Sequence, residues 1–494
     1  MTSAAPPQPT VPAAGPHPEE PAPFRPQHKI RLVTATSLFD GHDASIHIFR
    51  RIAQASGAEV IHLGHNRSVR EIVDAAIEED AQGIAVTSYQ GGHNEFFRYM
   101  HDMLAERGAP HVRIFGGGGG VILPEEIAAL QDYGIARIYS PDDGRALGLQ
   151  GMIDDMLGRC DFATATVDTP LPELASGDAR AVATAITLVE NFPERHRQQV
   201  RAAAAALTAP APVLGITGTG GAGKSSLIDE LLRRFLLDFG DRRVAVLCVD
   251  PTRKKTGGAL LGDRIRMNAA ASERVFVRSM ATRRANLALA DAVRDALAVL
   301  RAAGFDLIVL ESSGIGQSDT EIVEHADLSL YVMTPEFGAQ SQLEKIDMLD
   351  YADVVAINKF DRRGSRDALR DVRKQVQRNR QAFDLPAEDM PVYGTMAAQF
   401  ADPGTNRLYK ALARALDGLA PGRFASQAEM TEGEPGTAHV IPSDRTRYLA
   451  EVVENNRRYD AWARAQSELA ERYYVLEAAA AELPAGPARD AVAA

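Results

Sequence analysis

The strongest constraint on the fold is a glycine-rich stretch near the middle of the chain. Residues 218–225 read Gly-Thr-Gly-Gly-Ala-Gly-Lys-Ser, which fits the phosphate-binding pattern GxxxxGK[ST]. An apolar run at 213–217 precedes the stretch, and a segment with helical spacing of apolar residues, 226–235, follows it. A strand, a glycine loop and a helix in this order point backbone N–H groups at an anion. The sequence therefore predicts a site for nucleotide phosphates rather than a chance glycine-rich turn.

The residue types of this loop suit phosphate and metal chemistry. Glycines permit positive φ angles and a close backbone approach that a Cβ atom would block. Lys224 is predicted to neutralise charge on the β- and γ-phosphates, and the hydroxyl of Ser225 is predicted to bind Mg²⁺. The nucleotide contacts predicted from this loop are Gly218, Gly220, Gly221, Ala222, Gly223, Lys224, Ser225 and Ser226.

Composition narrows the classes of partner and the compartment. The 494 residues include 54 Lys and Arg against 66 Asp and Glu, and the net charge of −12 argues against nucleic acid as a partner. Cys160 and Cys248 are the only cysteines and lie far apart, which excludes a disulfide framework and fits a reducing compartment, so the cytoplasm is expected. No apolar run approaches the roughly 18 residues that span a bilayer, so no membrane partner is expected.

Short apolar strands alternate with amphipathic helices over the first third of the chain. The predicted strands are 30–36, 60–63, 84–89, 112–115 and 136–139, and the predicted helices are 42–56, 69–79, 96–107, 124–133 and 144–157. Five βα units within residues 29–160 predict a small, doubly wound parallel sheet of the flavodoxin-like α/β class. Ligands of such sheets bind at the carboxyl ends of the strands. Residues 40–45, 88–93 and 116–120 all fall there, so we expect one crevice to collect them.

Prolines and small residues mark the limits of the other segments. Residues 1–28 are rich in Pro and Ala and are predicted to be a disordered leader, and residues 161–178 and 422–441 are predicted to be linkers. A second α/β domain, of the P-loop type, is expected at residues 179–421, with further strands at 244–249, 307–310, 328–333 and 354–357. Residues 442–494 are predicted to form a helical segment whose apolar stripe packs on its own chain or docks onto another.

The sequence after strand 354–357 points to guanine as the base. Asn358, Lys359 and Asp361 fit the guanine-recognition pattern NKxD. The Asp361 carboxylate can accept hydrogen bonds from both the ring N–H and the exocyclic amine of guanine, a donor pair that adenine lacks. Such charge-assisted bonds contribute roughly 1.5–3 kcal/mol, or about ten- to a hundred-fold discrimination. Thr395, just after the short apolar segment 391–393, is a further predicted contact to the base.

Metal-binding acids are predicted from two other strand ends. The buried strand 307–310 ends in Glu311, and the loop beyond it carries Gly314 and Gln317, an order typical of a metal-binding acid followed by a switch loop. Glu311 is one methylene longer than Asp, which favours a water-mediated contact with Mg²⁺. Asp250 and Asp263 are further candidate Mg²⁺ ligands, and the alternative is that they cap helices. Gln317 is a candidate for positioning the attacking water, or an ordinary surface residue. The candidate catalytic residues are Lys224, Glu311 and Gln317.

Together, these motifs carry a resemblance to a known family. Residues 249–251, 256–267, 311–317 and 358–361 resemble the corresponding motifs of G-protein metallochaperones that serve adenosylcobalamin-dependent acyl-CoA mutases. The first domain resembles cobalamin-binding domains, whose pattern is DxHxxG, then SxL, then GG. Its counterparts are Asp40-Gly-His42-Asp-Ala-Ser45, Ser88-Tyr-Gln90 and Gly116-Gly117. The order of the two domains is similar to that in the amino-terminal half of fused isobutyryl-CoA mutases.

The resemblance implies a set of residues around the cofactor. In such domains the histidine of DxHxxG replaces the cofactor's own base as the lower ligand of cobalt. By this resemblance His42 binds cobalt through one ring nitrogen, while Asp40 accepts a hydrogen bond from the other nitrogen and fixes the tautomer. Ser88, Gly116 and Gly117 are then expected to contact the nucleotide tail of the cofactor.

The first domain departs from the family pattern at two positions. Ser45 stands where the pattern has its final glycine, and Gln90 stands where it has leucine. A narrower and more polar groove for the displaced base is therefore expected. His93 is an alternative cobalt ligand. We expect it instead to be a surface residue or to lie behind the ligand His42 without touching the metal.

The resemblance implies a function in cofactor handling. It implies a GTP-hydrolysing chaperone fused to a cobalamin-binding domain, with adenosylcobalamin, GTP or GDP, and Mg²⁺ as cofactors. Fused isobutyryl-CoA mutases continue into a CoA-binding barrel, and this sequence ends first, so the chain is expected to serve a mutase rather than rearrange an acyl-CoA alone. The expected partners are the barrel portion or subunit of an acyl-CoA mutase, a cobalamin adenosyltransferase and further copies of the chain. The alternatives are a structural small subunit of a split mutase and a cobalamin-dependent sensor that uses GTP as a switch.

Overall fold

The computed structural model describes residues 24–250, 252, 258–281, 292–312, 321–338, 343–433, 435 and 448–494. These residues fall into two compact units, which divide between residues 436 and 437. The predicted leader falls largely outside the described residues. Within the described residues, no helix is both long enough and apolar enough to cross a bilayer.

The first part of the chain forms a parallel α/β sheet. Its strands are β1 (Arg31–Ser37), β2 (Glu59–Arg67), β3 (Gly83–Thr87), β4 (Arg113–Gly117) and β5 (Arg137–Tyr139). Its helices are α1 (Ala44–Ala55), α2 (Val69–Glu78), α3 (His93–Glu106), α4 (Pro124–Tyr133) and α5 (Pro141–Cys160). The strand order is β5-β4-β3-β1-β2, and every pair is parallel. This is the flavodoxin-like order, so the predicted fold class is confirmed.

Both faces of this sheet are buried, as expected of a parallel sheet. On one face, α2 and α3 pack their apolar residues against alternate side chains of β1, β2 and β3, with Val33, Ile61 and Ile84 at the centre. On the other face, Leu32 and Val60 meet residues of α1 and α5. The 3.6-residue and 2-residue periodicities of the sequence therefore account for both cores.

The second part of the chain forms a larger parallel sheet preceded by two helices. The helices are α6 (Ala179–Asn191), α7 (Pro193–Ala205), α8 (Lys224–Asp238), α9 (Val293–Ala302), α10 (Met348–Tyr351), α11 (Ser365–Asn379) and α12 (Pro403–Leu419). The strands are β6 (Val213–Gly218), β7 (Val244–Asp250), β8 (Ala259–Leu261), β9 (Val275–Ala281), β10 (Leu307–Glu311), β11 (Leu328–Met333), β12 (Val354–Ile357) and β13 (Val392–Gly394). Seven of these strands form the sheet, in the order β13-β12-β11-β6-β10-β7-β9. The glycine loop therefore leaves a central strand of this sheet.

The eighth strand of this part, β8, belongs to the other sheet. It pairs in parallel with β2, with Val60 opposite Leu260 and Ile61 opposite Leu261. The approach is close: a Cβ atom on Gly258 would lie 2.1 Å from the carbonyl oxygen of Gln54. The sheet of the first domain is thus completed by a strand from the nucleotide domain, which the sequence patterns did not indicate.

Buried charges join the two sheets beside β8. The Glu79 carboxylate, 0% exposed, accepts a hydrogen bond of 2.5 Å from Arg31 of β1. It also accepts bonds from the backbone N–H and the hydroxyl of Ser279 in β9, at 3.0 and 2.9 Å. Arg264, just after β8, donates to Glu78 at 2.5 Å. Because buried charges are costly unless they are paired, this network fixes how the two sheets meet.

The described part of the carboxy-terminal unit, residues 448–494, forms the helices α13 (Tyr448–Glu482) and α14 (Pro487–Ala493). The predicted helical segment is therefore confirmed. Large apolar side chains along α13 are exposed, and the Tyr459 and Trp462 rings lie 5.8 Å apart. The exposed residues on one side of the helix are Tyr459, Trp462, Leu469, Tyr473 and Leu476.

Candidate functional site

The phosphate loop lies between β6 and α8. Gly218 approaches β11 so closely that a Cβ atom would lie 2.0 Å from the carbonyl oxygen of Val332. Gly223, the residue before α8, has a φ of +93°, which favours glycine. The loop therefore leads directly into a helix amino terminus, where backbone N–H groups and the helix dipole attract anions.

Two predicted functional side chains follow at the start of α8. The Lys224 ammonium group donates to the carbonyl oxygen of Gly218 at 3.1 Å, so it folds back over the loop. The Ser225 hydroxyl donates to the Glu311 carboxylate at 2.9 Å. Lys224, Ser225 and Glu311 are all buried, and Cys248 also contacts the Glu311 carboxylate. The structure therefore brings the predicted lysine, serine and metal-binding acid to one point.

The other predicted metal ligands lie on or beyond the neighbouring strand. Asp250 is the last residue of β7, two positions beyond Cys248, which pairs with Glu311 in the sheet. Its carboxylate accepts a bond of 3.2 Å from the backbone N–H of Gly262. Asp250 thus ties the segment after β8 to the carboxyl edge of the nucleotide sheet. The Asp263 side chain, Gly314 and Gln317 lie outside the described part of the molecule.

The predicted guanine motif is bound to the phosphate loop. The Asn358 side-chain amide donates to the carbonyl oxygen of Ala222 at 2.8 Å, and its carbonyl oxygen accepts from Ala397 N–H at 3.1 Å. Lys359, whose φ is +58°, donates to the carbonyl oxygen of Gly221 at 2.7 Å. Asp361, two residues on, is exposed, as a carboxylate that receives a base would be.

The loop that contains Thr395 packs against the guanine motif at residues 358–361. Buried Thr395 donates from its hydroxyl to the Asn358 side chain at 3.3 Å. The loop is held by Asp402, whose carboxylate accepts from Met396 N–H at 2.9 Å and from the Thr405 hydroxyl at 2.8 Å. Sequence reasoning did not find Asp402, although an Asp one residue before a proline-initiated helix is a signal for an N-cap.

The Asp40–His42 pair lies after β1. Asp40 is fully buried, and one of its carboxylate oxygens contacts the His42 Nδ1 atom at 2.7 Å. Burial alone would raise the pKa of Asp40, but hydrogen bonds from the backbone of Tyr89 and His42 and from the His42 ring lower it. Asp40 is therefore a carboxylate that holds the proton of His42 on Nδ1. The His42 side chain is 73% exposed, which leaves the Nε2 lone pair free for a metal.

The remaining predicted contacts to cobalamin lie on β4 and the loop after β3. Ser88 is buried and bonds to the Ser37 hydroxyl at 3.0 Å. A Cβ atom on Gly116 would meet Ile138 and Phe97 at 2.5 Å, so this glycine is required by packing within the sheet. The Cβ position of Gly117 is more open, with its nearest neighbour 3.6 Å away. Of these two glycines, Gly117 is therefore the one with space beside it for a cofactor tail.

Of the two positions expected for His93, at the surface or behind the cobalt ligand, the surface position is wrong. His93 is 6% exposed, at the start of α3, and its Nε2 atom lies 3.0 Å from the Glu126 carboxylate. His93 is thus buried and paired rather than a surface residue. Within the described residues, no three His, Cys, Asp or Glu side chains cluster in a way that could hold a metal by themselves.

The fold and the two sites define a class of protein: a P-loop nucleotide-binding domain with a guanine motif, joined in one compact unit to a flavodoxin-like domain that carries an Asp–His pair. Residues 182–419 match the family described as methylmalonyl-CoA mutase-associated GTPase MeaB, and residues 30–144 match the B12 binding domain. These two segments are therefore similar to the MeaB GTPases and to the B12-binding domains, respectively.

Curated relatives extend the similarity over both domains. The chain is 58% identical over 464 residues to the fused isobutyryl-CoA mutase of Geobacillus kaustophilus, covering 92% of this chain and 43% of the relative. Identity to the fused isobutyryl-CoA mutase of Cupriavidus metallidurans is 57% over 462 residues, which cover 92% of this chain and 42% of the relative. Identity to the fused isobutyryl-CoA mutase of Nocardia farcinica is 53% over 465 residues, which cover 93% of this chain and 43% of the relative. The resemblance to fused isobutyryl-CoA mutases is confirmed, and the chain spans less than half the length of these relatives.

Proposed function

We propose that this chain is a GTP-hydrolysing chaperone that carries cobalamin for an adenosylcobalamin-dependent acyl-CoA mutase of the isobutyryl-CoA type. The observation that carries the proposal is that the phosphate loop, bound by its guanine motif, lies in the same compact unit as the Asp40–His42 pair. The kinship with fused isobutyryl-CoA mutases supports the choice of mutase. The chaperone would load or protect the cofactor as the nucleotide state changes.

GTP hydrolysis on this site would rest on positioning and electrostatics, because phosphoryl transfer needs little covalent help from the protein. Lys224 neutralises charge on the phosphates. Ser225 would bind Mg²⁺ directly and Glu311 would contact the ion through a water, and their mutual bond of 2.9 Å keeps both groups oriented toward one point. Asp250 and Asp263 are further candidate ligands for the ion. Gln317 is the candidate for orienting the attacking water, and Asp361 with Thr395 would select guanine.

On the first domain, His42 would bind cobalt through Nε2 while Asp40 holds the imidazole in one tautomer. Ser88 and Gly117 would contact the nucleotide tail, with Gly116 shaping the strand beside it. Adenosylcobalamin, when bound, supplies the organometallic chemistry of the mutase reaction. The chain's own part is to bind and orient the cofactor and to couple that binding to GTP. The mutase barrel, a cobalamin adenosyltransferase and further copies of the chain are its proposed partners.

Nucleotide hydrolysis tests the GTPase half of the proposal. The purified chain should hydrolyse GTP but not ATP in the presence of Mg²⁺. Asp361→Asn should weaken GTP binding by about ten- to a hundred-fold and shift preference toward xanthine nucleotides, because the variant loses the carboxylate that pairs with the amine of guanine. Asp384→Asn, at an exposed aspartate of the same domain, is the matched control. Equal hydrolysis of ATP and GTP would contradict the assignment of the base.

Absorbance spectra test the cobalamin half. Bound cobalamin should show the spectrum of a histidine-ligated form with its own base displaced, and His42→Ala should abolish this form. His65→Ala, at an exposed histidine on β2, should retain it. Identical spectra for wild type and His42→Ala would refute the role of His42.

A second candidate is that the chain is a mainly structural subunit of a split mutase. The exposed apolar face of α13, with Tyr459, Trp462 and Leu469, favours it, because large exposed patches mark interaction sites. Co-purification with a separate CoA-binding barrel subunit would support this candidate only if the complex formed without dependence on nucleotide. Absence of a stable complex would count against it.

A further inference from the structure

Tyr89 lies at the centre of the proposed cobalamin crevice, although no motif assigns it a role. Its backbone N–H donates to the second oxygen of Asp40 at 2.5 Å. Its ring centroid lies 5.6 Å from that of His42, at an interplanar angle of 52°. Its hydroxyl lies 2.7 Å from the Ser45 hydroxyl. The ring also lies against the glycine run, because a Cβ atom on Gly119 would be 3.2 Å from it.

These contacts join the three loops at the carboxyl ends of β1, β3 and β4. Ser45 belongs to the first turn of α1, so its bond to Tyr89 ties the start of that helix to the loop after β3. The Asp40 bond ties the same two loops at a second point. Most of the His42 side chain faces solvent, and the Asp40 carboxylate and the Tyr89 ring both contact its imidazole.

The pair also accounts for the departure of Ser45 from the glycine of the family pattern. A glycine at that position would give Tyr89 no hydrogen-bond partner on the histidine loop. The serine hydroxyl provides one, 2.7 Å from the Tyr89 hydroxyl. Ser45, which replaces the glycine of the family pattern, therefore has a hydrogen-bond partner in Tyr89.

We propose that Tyr89 is a positioning residue for His42, and that its bond to Ser45 holds the histidine loop in its cobalt-ligating conformation before the cofactor arrives. The inference rests on the proposed cobalamin-binding function and names two further residues of that site. Holding a loop in its bound conformation lowers the ordering cost of binding, so affinity rises without a new contact to the ligand.

The test is a titration of the full chain with adenosylcobalamin in the dark, with affinity and the fraction of histidine-ligated cofactor read from the absorbance spectrum. Tyr89→Phe and Ser45→Ala should each weaken binding by about 2- to 10-fold, the equivalent of one net hydrogen bond. The double variant should be no weaker than either single variant, because both lose the same bond. Tyr99→Phe, at an exposed tyrosine on α3, is the matched control and should bind as wild type does.

Tyr89→Ala separates the ring from the hydroxyl. It should lower the histidine-ligated fraction below that of Tyr89→Phe, because it also removes the ring that restrains His42. A purely structural role would change stability and leave the spectrum of the bound cofactor unchanged. Additive losses, unchanged affinity or tighter binding in the single variants would overturn the inference while leaving cobalamin binding intact. A wild-type chain that binds no cobalamin would instead overturn the proposed function, and the inference with it.

Discussion

Glu79 should contribute more to stability than any exposed carboxylate, because it joins the two sheets. Its side chain is 0% exposed and accepts bonds from Arg31 of the first sheet and from the N–H and hydroxyl of Ser279 in the second. Glu79→Ala leaves the Arg31 guanidinium buried with one carboxylate partner fewer. Removing one partner of a buried ion pair costs about 3–5 kcal/mol. We take the lower end, about 3 kcal/mol, because Arg31 keeps a bond of 2.8 Å to Glu59.

The assay is urea denaturation followed by circular dichroism, with the free energy of unfolding obtained by linear extrapolation. Ser279→Ala removes one hydroxyl bond of 2.9 Å to the same carboxylate and should cost about 1.5 kcal/mol, the lower value for a bond to a charged group. Glu106→Ala, at an exposed glutamate on α3, is the control and should change stability by less than about 0.5 kcal/mol. A loss below about 1 kcal/mol for Glu79→Ala would refute the view that this network joins the sheets.

Three further outcomes are expected. Lys224→Ala should lower GTP hydrolysis at least about 100-fold and leave cobalamin binding measured without nucleotide unchanged, with Lys374→Ala as the control at an exposed lysine; equal hydrolysis by the two variants would contradict the role of Lys224. Ser225→Ala should raise the Mg²⁺ concentration for half-maximal hydrolysis by at least about tenfold, and an unchanged Mg²⁺ requirement would argue against metal binding there. Burial raises the pKa of Glu78 to about 7, against the charge and hydrogen bond of Arg264. Because the folded state binds this proton more tightly, protonation of Glu78 contributes about 3 kcal/mol to the free energy of unfolding. This contribution is fully present below the ordinary pKa near 4.5 and is lost as pH rises through 7. Relative to wild type, Glu78→Gln should therefore show a smaller fall in the free energy of unfolding between pH 5 and pH 8, and parallel profiles would show that Glu78 does not titrate in this range.

Local patterns predicted the parts of the fold that depend on local periodicity. Alternating strands and amphipathic helices in residues 29–160 correctly indicated the flavodoxin-like sheet, because each element buries a face that its own sequence defines. The loop at 218–225 and the sequence Asn358-Lys-Phe-Asp361 likewise led to two segments that the structure joins through the bonds of Asn358 and Lys359.

The junction of the domains could not be predicted in this way. The strand β8 has three residues, too few for a periodic signal, and its partner β2 lies almost 200 residues away in the sequence. Arg31, Glu79 and Arg264 would each be placed on the surface by residue type, since charged residues are buried only when paired. Tyr89 was missed for a related reason: its contacts come from two other loops, and a single tyrosine after a strand has no spacing to mark it.

The proposed function requires that nucleotide state and cobalamin binding are coupled within one compact unit. The segment between Asp250, at the nucleotide edge, and Gly262 contains β8, which pairs with β2 of the cobalamin domain. The most direct test is the affinity of the full chain for adenosylcobalamin, measured with saturating GDP and with a non-hydrolysable GTP analogue. We expect the two affinities to differ by about 5- to 150-fold, and cobalamin to change the relative affinity for the two nucleotides by the same factor. Equal cobalamin affinity in the two nucleotide states would contradict this coupling.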